Sequence, residues 1–528
     1  MDNTIWSLVP PILAIIMVLV TRRVLISLGV GIIASAFFIA SFNFTESFSL
    51  IWQSFKQVFV EDGALNTGNV YILLFVLMLG ILTAFVSMMG GTRAFGDWMI
   101  KRVRTRAGAQ IMTMFLGVVI FIDDYFNSLT VGPISKPVTD KHRVSRAKLA
   151  YIVDSTSAPV SVVAPISSWG AYIIGIIGSI LVAQNVTEYG AFEAFIKIIP
   201  MNLYVWAAIG VVLVISLKQI DFGPMKKHER RAMNEGEVSN PENKETVDVE
   251  SHLPTSKINK VSDLILPIGI LFIATLVIIY FTGLGAVEGE KTLMNIFGEA
   301  DVNFALFCGG IIGLITTFIL YSRHVRRKQL TTKHFKTGII EGAKSMLPAF
   351  AILIFAWAIT FLIDELGTGT YLAGIVESSN VSLSLLPVIV FIMAGFIAFS
   401  TGTSWGSFAI LLPIAGQIAG ATDISLLLPV LAAVLGGAVF GDHCSPISDT
   451  TILSATGASC ELMDHVTTQL PYALVAAFIA SIGYLVLGFF GNMWIGLIVV
   501  VIILAGFYMV LNNSDDNSSG IDEKPIAK

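Results

Sequence analysis

Long apolar runs separated by short charged stretches limit this chain more than any other feature of its sequence. The run from Val70 to Met88 contains no charged residue, and runs of similar length recur along the chain. A helix needs about 20 apolar residues to cross a bilayer. The chain has 13% charged residues, whereas soluble domains carry about 25%. The sequence therefore predicts an all-α polytopic membrane protein, with about 11 full-length helices crossing the lipid bilayer.

Basic residues at the ends of these runs predict the orientation of the chain. Arg22 and Arg23 follow the first run, and short loops rich in Lys and Arg stay on the cytoplasmic side. We therefore expect the N-terminus outside, the C-terminus in the cytoplasm, and the chain in the inner membrane of a bacterium. The first residues, MDNTIW, lack the basic region of a signal peptide, so the first run is expected to remain as a helix.

Two apolar segments carry polar residues at their centres. The first, about 109–138, contains FIDDYFNSLTVGP and has basic residues at both ends. The second, about 385–418, contains STGTSWGS and has acidic residues at both ends. Polar, irregular backbone at membrane depth is tolerated only inside protein or beside a water-filled cavity. We therefore predict two re-entrant hairpins, which enter the membrane from opposite sides.

Two other apolar segments are predicted to form broken helices. The segment at about 149–183 contains Pro159 and Pro165, and the segment at about 426–458 contains GDHCSPISDTT. Proline removes a backbone donor and clashes with the preceding turn, so it breaks a helix. Each half of the chain thus has one hairpin followed by one broken helix.

The two halves also match at a nearly constant offset. Pro133 matches Pro413, an offset of 280 (413 − 133), and Pro159 matches Pro446, an offset of 287 (446 − 159). Paired interrupted segments are typical of secondary transporters with inverted repeats. We therefore predict a first inverted repeat, a flexible cytoplasmic linker, a second inverted repeat with an extra C-terminal helix, and a polar cytoplasmic tail. Their ranges are 1–220, 221–260, 261–511 and 512–528.

Carboxylates and hydroxyls are concentrated in the four interrupted segments, where we expect no Lys or Arg near the membrane midplane. A buried carboxylate is costly unless it is protonated, paired or bound to a cation. Such a site suits Na⁺ or H⁺. The sodium-site candidates are Asp123, Asp124, Asp442 and Asp449. The other candidates for binding a cation or substrate are Asn127, Ser128, Asp154, Ser155, Thr156, Ser157, Thr401, Thr403, Ser404, His443, Ser445 and Thr450.

Several of these residues also have a structural interpretation. Asp449 and Asp154 each precede hydroxyl residues and could be helix N-caps, and the Asp123–Asp124 pair could shape a hairpin turn. We expect His443 to be the only histidine within the membrane, as either a proton carrier or a hydrogen-bonded neutral group. Trp169 and Trp405 could line a pocket for an organic substrate, although packing is the default for buried aromatic residues. We expect Cys444 to pack as a small buried side chain and not to act as a reactive thiol.

The composition argues against other classes of protein. The net charge of −5 indicates no nucleic-acid partner, and three cysteines do not make a disulfide framework. No set of nucleophile, base and metal ligands points to an enzyme. No cofactor is expected, and Na⁺ and H⁺ are expected only as coupling ions.

The segment from Gly441 to Ala458, GDHCSPISDTTILSATGA, resembles the signature of the NhaC family of Na⁺/H⁺ antiporters, G-D-x-x-S-P-x-S-D-T-T. The segments FIDDYFNSLTVGP and DSTSAPVSVVAPISSWG look like its counterparts in the first half. The resemblance implies Na⁺/H⁺ antiport by alternating access, paired hairpins, an elevator motion and a homodimer.

The chemistry of the site leaves two functions open. The first is a Na⁺/H⁺ antiporter. The second is a Na⁺- or H⁺-coupled carrier of a small organic solute, such as an amino acid or a carboxylate like malate or lactate. The hydroxyl-rich tips and the two tryptophans favour the second, and helix N-termini can bind a carboxylate without arginine. A channel is disfavoured because hairpins that enter from opposite sides suit alternating access better.

Overall fold

The computed structural model describes residues 4–240, 253–287, 300–367 and 382–518, except for the single positions 22, 62, 259 and 447, and it also describes positions 291, 296 and 371. Helices dominate these residues. The helices of the first half are α1 (Val9–Thr21), α2 (Val24–Ile39), α3 (Phe44–Phe59), α4 (Thr67–Met89), α5 (Gly91–Ile100), α6 (Arg106–Val119), α7 (Asp124–Lys141), α8 (Arg146–Ser155), α9 (Ala158–Ser161), α10 (Ser168–Ala183), α11 (Ala191–Ile198), α12 (Leu203–Lys218) and α13 (Met225–Glu235). Two short antiparallel strands, β1 (Val60–Glu61) and β2 (Ala64–Leu65), lie between α3 and α4.

The second half continues the helical pattern. Its described helices are α14 (Ser262–Ala286), α15 (Val302–Arg326), α16 (Thr332–Glu365), α17 (Leu386–Thr401), α18 (Ser404–Thr422), α19 (Leu427–Cys444), α20 (Asp449–Gly457), α21 (Leu462–Phe490) and α22 (Met493–Ser518). Helix α22 thus continues through residue 518, well into the predicted polar tail. The remaining tail residues, 519–528, lie outside the described part of the chain.

Length and composition of these helices confirm an all-helical polytopic membrane protein. In the described ranges, nine helices are long and apolar enough to cross a bilayer: α4, α14, α15, α16, α17, α18, α19, α21 and α22. The segments Ala191–Met201 and Leu203–Lys218 make a tenth span if the 45° bend between them is counted within one crossing. Apolar helices in α1, α2, α6 and α10 are shorter. The inverted relation of the two halves stays a prediction.

Helices are interrupted within all four segments that the sequence predicted to be irregular. The breaks separate α6 from α7, α8 from α9 and α10, α17 from α18, and α19 from α20. Gly402, between α17 and α18, has a φ of 69°, a left-handed conformation that glycine adopts without steric cost. Four of the helices that restart after the breaks, α7, α10, α18 and α20, have side-chain N-caps, provided by Asp123, Ser167, Thr403 and Ser448. The N-caps satisfy backbone N–H groups that helix starts leave unpaired.

Close backbone contacts bring the interrupted segments together. A Cβ on Gly441 of α19 would lie 2.0 Å from the carbonyl oxygen of Gly395 in α17. A Cβ on Gly132 of α7 would lie 2.4 Å from the carbonyl carbon of Gly457 in α20. Small residues of this kind let membrane helices pack at backbone distance. Helix α7 of the first half therefore packs directly against α20 of the second half.

The segment after α12 differs from the flexible linker predicted for residues 221–260. Residues 225–235 form α13, in which Met225, Glu229 and Ala232 are buried. These positions share one helix face, which packs against the start of α8. The Glu229 carboxylate pairs with Arg106 and accepts a hydrogen bond from the Ser145 N–H at 2.7 Å. The amphipathic spacing in this charged stretch explains the difference; residues 241–252 lie outside the described ranges.

Candidate functional site

The predicted site residues come from segments that meet in the fold. Helix α20 contacts α7, α8 and α21, and α19 contacts α17 and α18. All the predicted residues are buried except Thr403, which is half-buried, and Asp449, which is exposed. The two halves of the chain therefore build one polar region at the helix breaks.

Asp154 has the largest set of partners in this region. Its Oδ2 accepts hydrogen bonds from Thr451 Oγ1 at 3.1 Å and Gln469 Nε2 at 2.6 Å, and Ser454 Oγ lies 3.4 Å from its Oδ1. His465 Nε2 lies 3.2 Å from the same Oδ2. Asp154 is the second-last residue of α8, which is capped by Ser145. The prediction of a helix N-cap at Asp154 is therefore wrong, because the carboxylate joins three helices instead.

His443 is held by hydroxyls at both ring nitrogens. Its Nε2 lies 3.0 Å from Ser155 Oγ and its Nδ1 lies 2.8 Å from Tyr204 Oη. Its backbone carbonyl accepts a hydrogen bond from Gln469 Nε2 at 2.5 Å. Of the two roles open to His443, this arrangement supports the hydrogen-bonded one, since both nitrogens have fixed partners.

Asp123 and Asp124 occupy the first hairpin tip with different environments. Asp123 Oδ1 caps α7 by accepting the Phe126 N–H at 2.9 Å, and its Oδ2 accepts a hydrogen bond from Ser168 Oγ at 2.9 Å. Asp124 lies next to it, and its buried Oδ2 accepts no well-formed hydrogen bond from the described residues, although the indole of Trp169 lies near this carboxylate. Asp123 therefore does shape the turn, whereas Asp124 keeps a carboxylate oxygen available for a cation.

Asp442 is a buried carboxylate of the second half. Its Oδ2 accepts a hydrogen bond from Ser404 Oγ at 2.7 Å. Its Oδ1 is buried and accepts no well-formed hydrogen bond in the described part of the chain. The same Ser404 Oγ also lies 3.3 Å from the carbonyl oxygen of Ala438. The second hairpin tip thus supplies a hydroxyl to a carboxylate that stands at the end of α19.

Asp449 lies at the edge of the site. It is the first residue of α20 and not its cap, because Ser448 Oγ accepts the Thr451 N–H at 3.2 Å. Tyr125 of α7 donates a hydrogen bond to Asp449 Oδ2 at 3.1 Å, and Thr450 Oγ1 lies 2.9 Å from Ser448 Oγ. The prediction of an N-cap at Asp449 is wrong by one residue.

Other predicted residues hold the backbone at the breaks. Asn127 Nδ2 lies within hydrogen-bonding distance of the carbonyl oxygens of residues 117, 120 and 156, at 2.7, 3.0 and 3.1 Å, and shares its two hydrogens among them. Thr156, Thr401 and Ser445 donate to the carbonyl oxygens of residues 152, 398 and 399. Thr403 caps α18. These side chains satisfy carbonyl and N–H groups at the helix ends, so the structure gives them a supporting role.

A chain of hydroxyls crosses between the two halves. Ser454 Oγ donates to Ser128 Oγ at 3.1 Å, Ser128 to Ser157 Oγ at 2.9 Å, and Ser157 to the carbonyl oxygen of Asp124 at 2.7 Å. This chain links the surroundings of Asp154 to the first hairpin tip.

His465 and Gln469 of α21 were missed by the sequence analysis. Both are buried, and both contact Asp154. His465 lies near the start of the candidate span Leu462–Phe490, so His443 is not the only buried histidine of this polar region. A signal was present: the two polar residues are four positions apart at the start of an apolar helix, so they share one face.

The tryptophans pack within an aromatic cluster. The Trp169 ring lies 5.8 Å from Trp405 and 5.6 Å from Phe408, both edge-on. Tyr172 Oη donates to the carbonyl oxygen of Trp405 at 2.8 Å. Trp169 is fully buried, which supports the packing interpretation.

Ion ligands and cavities limit what the described part of the chain could bind. No group of three or more His, Cys, Asp or Glu side chains is placed to hold a metal ion there, so Na⁺ would need hydroxyl or carbonyl oxygens beside the carboxylates. A cavity of about 500 Å³ opens between α3, α4, α10 and α16. It is lined by uncharged residues, including Gln57, Asn69, Asn303 and Thr360, and by none of the predicted site residues.

Comparison with known sequences gives a family match. The profile of the Na⁺/H⁺ antiporter family matches residues 160–489. A Haemophilus influenzae protein described as uncharacterized is 43% identical over 491 residues, which cover 92% of each chain. The malate-2H⁺/Na⁺-lactate antiporter of Bacillus subtilis is 29% identical over 205 residues, 37% of this chain and 40% of that protein.

A solved structure has the same general architecture. The YdaH transporter of Alcanivorax borkumensis superimposes with a TM-score of 0.57 at 14% identity, covering 84% of this chain and 88% of that one. At this level of identity the likeness concerns the fold alone. The family match assigns the chain to a family of membrane antiporters.

Proposed function

Because this chain belongs to the Na⁺/H⁺ antiporter family, we propose that it exchanges Na⁺ for H⁺ by alternating access, with Asp124 and Asp442 as the principal sodium ligands. The proposal places the chain in the inner membrane of a bacterium, with its N-terminus outside and its C-terminus in the cytoplasm. It includes the homodimer and elevator motion that the NhaC resemblance implies.

The observation that carries the proposal is a pair of buried carboxylate oxygens, Asp124 Oδ2 and Asp442 Oδ1, that accept no well-formed hydrogen bond from the described residues. The indole of Trp169 and the hydroxyl of Ser448 lie near these two carboxylates without forming such a bond to either oxygen. Among the ion pairs of the described residues, none involves either carboxylate. A buried carboxylate without a partner is unfavourable by several kcal/mol. A hard cation such as Na⁺, or a proton, removes that penalty, and nearby hydroxyls and helix ends supply further oxygens.

The placement of the two carboxylates also suits alternating access. Asp124 begins α7 in the first hairpin, and Asp442 ends α19 in the second broken helix. Each lies next to a break, where the backbone changes direction. A displacement of these segments relative to other helices would carry the bound cation with them.

The first test uses the purified protein in liposomes that contain a pH-sensitive dye. We expect an imposed Na⁺ gradient to drive proton movement without any organic solute. We expect Asp442→Asn to lower this rate by about 100-fold or more, because the amide keeps the shape but loses the charge. Lys344→Gln, which removes an exposed charge paired with Glu341, is the matched control and should keep the wild-type rate.

Absence of Na⁺-driven proton movement in the wild type would overturn the proposal. Wild-type activity in Asp442→Asn would leave the exchange standing but overturn Asp442 as its ligand.

The alternative function is the coupled transport of a small organic solute. Two observations favour it: the B. subtilis relative is named as a malate and lactate antiporter, and the uncharged cavity of about 500 Å³ is within the size range of small-molecule sites. The same liposomes distinguish the two functions. Proton movement that begins only when malate, lactate or an amino acid is added would support the carrier and contradict the exchanger.

A further inference from the structure

Asp154 and His465 form a second buried acidic centre, apart from Asp124 and Asp442. The two residues are 1% and 0% exposed, and their side chains lie 3.2 Å apart. No lysine or arginine pairs with Asp154 in the described part of the chain. His465 Nδ1 is buried without a hydrogen-bond partner among the described residues. The pair therefore consists of one acid and one base, with no fixed positive charge in contact.

A carboxylate and an imidazole in contact change their net charge by one when a single proton is added. With the carboxylate ionised and the imidazole neutral, the pair has a charge of −1. One added proton brings it to zero, on whichever of the two groups the proton resides. The other partners of Asp154, namely Thr451, Ser454 and Gln469, are not titratable at physiological pH and only orient the carboxylate.

The pair stands where the two interrupted helices meet. Asp154 lies just before the break that follows α8, Thr451 and Ser454 lie just after the break that precedes α20, and His465 is on α21. Besides His465, titratable groups on two neighbouring helices interact electrostatically with Asp154. They are His443, Asp442 and Cys444 of α19, and Tyr204 of α12. His443 also interacts with His465.

We propose that the Asp154–His465 pair carries the proton of the exchange, while Na⁺ binds at Asp124 and Asp442. This inference rests on the proposed function and divides it between two sites. The pair takes up one proton from water on one side of the membrane and returns it to water on the other; only an N–H or O–H bond forms and breaks.

Electrostatic repulsion links the two sites without a shared ligand. Asp442 interacts with Asp154, so Na⁺ bound at Asp442 disfavours the added proton on the pair. By linkage, the protonated pair disfavours Na⁺ by the same factor. Mutual exclusion of this kind is what antiport requires.

The test compares two transport modes in the same liposomes. One is Na⁺-driven proton movement, and the other is the exchange of labelled external Na⁺ for internal Na⁺, which needs no proton transfer. In Asp154→Asn we expect proton movement to fall at least about tenfold while labelled Na⁺ exchange remains measurable. Equal loss of both transport modes would mean that Asp154 has a structural role. Retention of both modes would mean that Asp154 is not needed for proton transfer. Either result overturns the inference.

His465→Gln provides an independent readout if Asp154→Asn does not reach the membrane. The glutamine keeps a hydrogen-bonding side chain but cannot titrate, so we expect the pH dependence of Na⁺/H⁺ exchange to shift by about one pH unit or more. The control is His334→Gln at the start of α16, which should leave the pH profile unchanged. An unchanged profile in His465→Gln overturns the inference. A wild-type protein that is silent in both modes contradicts the proposed function itself.

Discussion

The two hairpin tips share a capping geometry but differ in charge. Asp123 caps α7 through the N–H of Phe126, and Thr403 caps α18 through the N–H of Gly406. The two caps are separated by the repeat offset of 280 (403 − 123), as are Asp124 and Ser404 (404 − 124). The first tip thus carries two carboxylates where the second carries two hydroxyls.

The second half supplies its carboxylate from a different place. Ser404 donates a hydrogen bond to Asp442, which lies at the break of the second broken helix. The second half therefore has hydroxyls at its tip and a carboxylate at its break, whereas the first half has carboxylates at both places, Asp124 at the tip and Asp154 at the break. The two halves thus have helix breaks at matching places but distribute charge unequally, and carboxylates from both halves enter one polar region.

The largest effect is expected from making the two tips chemically alike. Asp124→Ser places at the first tip the residue type found at position 404, and it removes a carboxylate proposed to bind Na⁺. We expect Na⁺-driven proton movement in liposomes to fall by about 100-fold or more. In Ser404→Ala, we expect the rate of proton movement to fall by only about threefold to tenfold, because this substitution removes one hydrogen bond to Asp442. Similar rates in the two variants would contradict the charge difference between the tips.

An intermediate effect is expected from the glycines behind each tip. Gly132→Ala forces α7 away from α20, and Gly441→Ala forces α19 away from α17, since either Cβ would overlap backbone atoms. We expect each to lower the free energy of unfolding by roughly 1–3 kcal/mol, measured as a lower apparent melting temperature in detergent.

The control for both glycines is Gly506 of α22, where an added Cβ meets nothing within 4 Å. Gly506→Ala should leave stability unchanged or raise it by about 0.5–1 kcal/mol, because alanine loses less conformational freedom in a helix. A melting temperature for Gly132→Ala equal to that of Gly506→Ala would mean that α7 and α20 do not pack at backbone distance.

The smallest effects are expected from the caps. Thr403→Ala removes one hydrogen bond to a helix start and should lower stability by about 1 kcal/mol. Asp123→Ala should lower it further, because it also removes the buried contact with Ser168. The melting temperatures of the two variants in detergent test this order. A larger decrease for Thr403→Ala than for Asp123→Ala would contradict the prediction.

Much of the site could be predicted because its signals are local. Proline, glycine and clusters of polar residues mark the breaks, and the carboxylates next to them follow from composition at membrane depth. Capping was harder to place: the sequence suggested Asp449, whereas Ser448 caps α20. Adjacent hydroxyl and acidic residues have similar capping preferences, so the local sequence does not separate them.

The amino-acid sequence by itself determined the membrane class, the positions of the helix breaks, the main acidic residues and the family signature, because hydropathy and backbone restriction act over a few residues. Only the tertiary structure decided which of those residues meet. His465 reaches Asp154 across 311 positions, and α13 buries Glu229 against Arg106 and Ser145. Such contacts depend on how distant helices pack, and a buried polar group finds its partners only once that packing has removed it from water.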